Sequence, residues 1–153
     1  MIKAANVYRW GLWLATLGTL LLAAVQALSG HWIIFFLFWP GGPDYGLGFT
    51  HAMASLASYH RAAGFVVGGF SLVTLFFAFA SKSNRWVRIL AIVGVIMTAL
   101  AASGGYLYYT SGYQDRMALG QMADAFVGVF AAYFFQLFFM KGDPAVGIKR
   151  QAS

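Results

Sequence analysis

Apolar residues run in four long stretches, separated by short segments in which Pro, Gly, Asn and charged residues collect. A membrane-spanning helix needs about 20 mostly apolar residues at a rise of about 1.5 Å each. Four windows meet that requirement, roughly Trp10 to Ser29, Tyr59 to Ala80, Trp86 to Tyr109 and Met117 to Met140. The first run continues to Trp39, and as one helix it would be about 45 Å long, beyond a hydrocarbon thickness of about 30 Å. This reading therefore breaks it near Ser29-Gly30 and places His31 to Trp39 at the interface or in a short second helix. The segment Pro40-Gly41-Gly42-Pro43-Asp44-Tyr45-Gly46 is punctuated by Pro and Gly at nearly every step and is expected to be non-helical. The pattern predicts an all-α, polytopic membrane four-helix bundle, a single domain over 1–153 with a large loop over 30–58. No heptad, short repeat or low-complexity tract is present.

Composition agrees and narrows the class. Of 153 residues, 61% are apolar and 9% charged, where a soluble domain carries about 25% charged residues. The mean hydropathy is +0.72. The 15 Phe and 5 Trp suit a lipid-facing surface with interfacial anchors. A net charge of +6 does not imply nucleic acid in such a chain, because basic residues gather in cytoplasmic loops. The absence of Cys excludes disulfides, thiolate zinc sites and thiol nucleophiles. There is no Glu, and the acids are Asp44, Asp115, Asp124 and Asp143.

Charge also orients the bundle. Lys3, Arg9, Lys82, Arg85, Arg88, Lys141, Lys149 and Arg150 fall on one side of the four-span arrangement, and only Arg61 and Arg116 on the other. The positive-inside rule then puts both termini in the cytoplasm, in an inner (cytoplasmic) membrane, with the 30–58 loop outside. Lys3 and Arg9 ahead of an apolar run ending Ala27-Leu28-Ser29 also resemble a signal peptide; the segment is read as a retained helix. The polar tail from Lys141 to Ser153 is expected to be ordered only by a partner.

Polar groups inside a membrane helix are costly and by default face the bundle interior. In the second span His60, Gly64 and Gly68 recur every four residues and so share a face. Glycines below a histidine leave room for a flat ligand, and they equally form the small-xxx-small stripe with which membrane helices pack. The fourth span repeats the stripe as Gly120, Asp124, Gly128 and Ala132, with Gln121 and Met122 beside it. The third offers Gly94, Thr98, Ala102 and Gly105. His60 lies about 30 Å above Ala80, and Asp124 about 12 Å below Arg116. His60, Gln121 and Asp124 therefore occupy the outer third, which predicts a pocket open to the outer leaflet.

Three chemical uses stand open. His60 is suited to ligate the iron of haem or another tetrapyrrole through a neutral imidazole nitrogen, with Met97, Met117 or Met122 as candidate second ligands. His31, His51, His60 and Asp44 form a possible copper or zinc set at the rim, at spacings that match no recognised motif. Asp124 can instead pair with Arg116 or Arg61 and hold helices together, as His60 can by a hydrogen bond. No phosphate loop, nucleophile triad, zincin motif or paired carboxylates exist, which disfavours hydrolysis and proton pumping.

Short motifs resemble the heme A synthase family. Tyr59-His60-Arg61-Ala62-Ala63-Gly64 looks like its His-Arg motif, Gly42-Pro43-Asp44-Tyr45 resembles its Cys-Pro-Asp-Trp stretch, and Leu119-Gly120-Gln121-Met122-Ala123 resembles the start of its fourth helix. The likeness covers about residues 30 to 126. It implies a four-helix unit with haem held by His60, space cleared by Gly64 and Gly68, and Gln121, Met122 and Asp124 lining the far side. The family's glutamates three and seven residues before the histidine are here Ala57 and Met53, its fourth-helix histidine is Gln121, and its loop cysteines are missing. The resemblance thus implies a haem-binding relative in a respiratory or electron-transfer system without the oxidative chemistry. The other reading is a non-catalytic subunit, in contact with the lipid bilayer and no nucleic acid, whose stripes and aromatic surface pack it into a larger membrane complex or a homo-oligomer.

Overall fold

Each long apolar run folds as one helix, since nothing inside it forces the backbone to find hydrogen bonds elsewhere. The structure, a computed structural model, describes residues 4–38, 47–112 and 115–143, with side-chain surroundings for 6–30, 55–112 and 115–143. The helices are α1 (Ala4–Phe38), α2 (Leu47–Ala80), α3 (Arg85–Thr110) and α4 (Arg116–Gly142). All four are long and apolar enough to cross a membrane.

Two expectations are corrected. Helix α1 does not break at Ser29-Gly30 but continues unbroken to Phe38. One glycine costs a helix only about 1 kcal/mol, and the Ser29 hydroxyl donates to Gln26 O at 2.9 Å without diverting the chain. Helix α2 starts at Leu47, twelve residues before the apolar window at Tyr59. Hydropathy marks what fits hydrocarbon, and a helix is free to continue past it. The expected non-helical segment from Pro40 to Gly46 lies outside the described residues.

The other two helices start where local chemistry starts them. Asn84 caps α3, its side-chain oxygen accepting from the amides of Trp86 and Val87 at 3.0 Å each. Asp115 caps α4 in the same way, accepting from Met117 and Ala118. Gly112, at φ 68, ends α3 in the left-handed conformation that glycine adopts without steric cost. At the far end of α4, the Asp143 carboxylate accepts from the Asn84 amide at 2.6 Å, tying the end of α4 to the start of α3.

The helices stand antiparallel in a square, α1 beside α2 and α4, α3 beside α2 and α4. The diagonal pairs, α1 with α3 and α2 with α4, do not approach closely by backbone and meet only through side chains in the shared core. One end of the bundle holds the start of α1 and the end of α4 and is closed by Leu12, Ala78, Val87, Ala91 and Met140, all fully buried. A second cluster, Ala23, Val129 and Tyr133, sits nearer the middle. The outer surface is apolar and bulky, with Leu14, Leu21, Phe65, Phe76, Phe134 and Phe138 all exposed. That is the inverse of a soluble bundle and matches a lipid surround.

The interior is filled by small residues and hydroxyls. Thr16, Thr19, Thr74 and Thr98 each donate to the carbonyl four residues back, so their hydroxyls cost little in a dry core. Thr19 also meets Thr74, and Ser71 meets Thr98, each at 3.1 Å across a helix pair. Gln136 is different. It is fully buried, and neither atom of its carboxamide has a hydrogen-bond partner among the described residues. An unpaired buried amide costs about 1–3 kcal/mol, so Gln136→Met, which keeps volume and removes the polar atoms, is expected to raise the unfolding midpoint in micelles. A lowered midpoint would mean that the amide is paired in solution.

Candidate functional site

His60 sits near the end of the bundle remote from the chain termini, and its surroundings come from α1. The Ser29 hydroxyl lies 2.9 Å from His60 Nδ1, and Gln26 Nε2 lies 3.2 Å from His60 Nε2. Gln26 Nε2 also donates to the His60 backbone oxygen at 2.8 Å. Both ring nitrogens are therefore in contact with α1. The Ser29 hydroxyl is 2.9 Å from Gln26 O as well. If its proton goes there, its oxygen accepts from Nδ1–H, and Nε2 is left to accept from the Gln26 amide. One neutral tautomer thus satisfies every contact.

The backbone makes this clamp possible. A Cβ on Gly30 would lie 2.9 Å from His60 Cε1, so the ring edge rests directly on the α1 backbone. Gly64, one turn from His60, lets the Gln26 amide approach to 3.3 Å from where its Cβ would be. Gly68 meets nothing within 4 Å. The stripe of α2 therefore serves the α1 contact at its His60 end and opens away from it below. Four-residue steps advance about 400° around a helix, so each step drifts about 40° from the one before.

The same drift separates the residues of α4. Ala132 is buried, Gly128 and Gly120 are half-buried, and Asp124 is exposed. Gln121 donates to Leu100 O at 3.2 Å and to Ser103 Oγ at 2.8 Å, both on α3. Met122 lies against Gly104 and Gly105 of α3. The candidates of α4 are thus turned to α3 or outward, while His60 is turned to α1, on the opposite side of the square of helices. The structure does not bring His60 together with Gln121, Met122 or Asp124. Nor does Asp124 form a hydrogen bond or ion pair with a described residue. Arg61 instead stands over the Tyr109 ring at 4.2 Å and reaches Ser58 Oγ at 3.4 Å. Gln26 and Ser29 are the partners that sequence reasoning missed. An amide within an apolar run was the available signal, since such a group must face the interior.

The rim set of His31, His51, His60 and Asp44 is only partly visible. Asp44 and the side chains of His31 and His51 lie outside the described residues, although the His51 backbone is in α2, half a turn around the axis from His60. Among the described residues no three His, Cys, Asp or Glu side chains converge. A cavity of about 380 Å³ opens at the opposite end, lined by Asn84, Phe138, Phe139, Lys141 and Gly142, and holds none of the candidates. No family model, curated protein or solved structure matches the chain.

Proposed function

We propose that the chain is a small, non-catalytic membrane subunit whose role is to pack against other membrane proteins, with both termini on the cytoplasmic side. The observation that carries this reading is the state of His60, the best-placed chemical group in the described interior. Its two nitrogens are committed to Ser29 and Gln26, and the groups that would complete a site lie on the far side of α3 and α4. What remains among the described residues is a bundle with a hydroxyl-lined core, no assembled reactive set and an apolar outer surface. The orientation rests on Arg9, Lys82, Arg85, Arg88 and Lys141 at the closed end, against Arg61 and Arg116 at the other.

The second reading is a haem or other tetrapyrrole protein of an electron-transfer chain, as the likeness to heme A synthases implies. It is favoured by a single histidine at the right depth, with Gly64 and the open Gly68 beneath it. It requires His60 to release one of its α1 partners to the iron. The absorption spectrum of the purified protein, before and after dithionite, separates the two. The subunit reading expects a colourless preparation of folded protein. A Soret band that shifts on reduction and is lost in His60→Ala would overturn it.

A further inference from the structure

Among the polar groups at membrane depth, Asp124 stands on the outside of the bundle. Along the axis of α4 it lies between Gln121, which bonds α3, and Gly128, where a Cβ would meet Met97 of α3 at 2.8 Å, and around the axis it is turned about 40° from Gly128 toward the outside. Asp124 is therefore on the flank of α4 that borders α3, at the level of Leu100, yet exposed. A carboxyl group there faces lipid, about 12 Å inside the start of α4 at Arg116. Its side chain is too short to reach the interface from that depth.

The polar groups of this flank spend their donors on one another. Ser103 donates its proton to Leu100 O at 2.9 Å. Gln121 directs its amide nitrogen at Leu100 O and Ser103 Oγ, which occupies both of its hydrogens. The Gln121 oxygen and the Asp124 carboxyl have no donor among the described residues. Gly120, one turn from Asp124 on the same face, would meet nothing with a Cβ, so the surface beside the carboxyl is flat. Among the described residues, a second copy of this chain offers no cation at that depth. Arg61 stands at Tyr109, about 13 Å nearer the bundle end than Leu100, and Arg116 begins α4 at that same end. The other described basic residues lie at the far end.

We propose that this outward face of α4, beside α3, docks a membrane helix of another protein, one that carries a Lys or Arg at the depth of Asp124. The proposal rests on the subunit reading and deepens it by naming the chemistry of the partner. The ammonium or guanidinium supplies the donors that Gln121 Oε1 and Asp124 lack, and Gly120 lets the two helix backbones approach. Charge pairing sets the register along the membrane normal, and the flat Gly120 surface sets the crossing point.

The test uses the whole protein, donor-labelled in phosphatidylcholine bilayers, and acceptor-labelled synthetic Leu-rich helices followed by energy transfer. One helix carries a single Lys about 12 Å from its end, and the control has Leu there. The Lys helix is expected to associate at least tenfold more tightly than the control, and Asp124→Asn, an exposed substitution that leaves the core intact, is expected to abolish that advantage. Equal association of the two helices, or an advantage that survives Asp124→Asn, would overturn the proposal. So would self-association of labelled copies that depends on Asp124 and that the Lys helix does not disrupt. If the Lys helix fails with colourless protein, this docking site falls and the subunit reading stands; a His60-dependent Soret band removes the subunit reading itself.

Discussion

Gly104→Val is expected to cost about 3 kcal/mol, the upper end of the range for overpacking a core. A Cβ on Gly104 would lie 2.8 Å from both Ala118 O and Met122 N and 3.2 Å from Met122 Cα. These are backbone atoms of α4, so relief requires the two helices to part along their shared length. In lipid, where no hydrophobic drive pulls helices together, close packing of this kind is a main source of association. Other glycines calibrate the claim. Gly128→Ala would press on Met97 Sδ at 2.8 Å, the far end of a flexible side chain, and should cost well under half as much. Gly68→Ala meets nothing and should be neutral or slightly stabilising. The readout is the unfolding free energy of each variant in mixed micelles. An order of Gly104 above Gly128 above Gly68 is expected, and equal costs would contradict the packing described.

His60→Ala should destabilise by about 2–3 kcal/mol, combining two lost hydrogen bonds with the cavity left against Gly30. The Gln26 amide keeps one acceptor in this variant, the backbone oxygen of residue 60, which limits the penalty. Gln26→Leu loses both that bond and the ring contact and should cost about 1–2 kcal/mol. Ser29→Ala, with a single partner on the ring, should cost about 1 kcal/mol. None of these variants should alter an absorption spectrum if the protein carries no chromophore.

Much of the architecture can be read from the chain alone. The starts of α3 and α4 are visible because Asn84 and Asp115 precede apolar runs, and the expected windows agree with Arg85–Thr110 and Arg116–Gly142 to within two residues at each end. The true lengths of α1 and α2 are not visible, since hydropathy reports membrane fit and says nothing about where a backbone stops being helical. Site geometry is harder still. A four-residue stripe such as Gly120, Asp124, Gly128 and Ala132 looks like one face, but its steady drift carries Asp124 out to lipid while Ala132 stays inside. The sequence pattern points to Gly105 within α3, whereas Gly104 is the glycine that meets the α4 backbone, a difference of about 100° that depends on how the helix is rotated. The partners of His60 come from 31 and 34 residues earlier in the chain, and only the pairing of α1 with α2 could have named Ser29 and Gln26.

That pairing is the centre of the account, and a double-mutant cycle between Gln26 and His60 addresses it directly. Unfolding free energies of wild type, Gln26→Leu, His60→Ala and the double variant isolate the side-chain contact, because the Gln26 bond to the backbone oxygen cancels across the cycle. A coupling of about 1 kcal/mol is expected if the imidazole joins α2 to α1. Costs that add with no coupling would contradict it, and would return His60 to the position of a side chain free to hold something else.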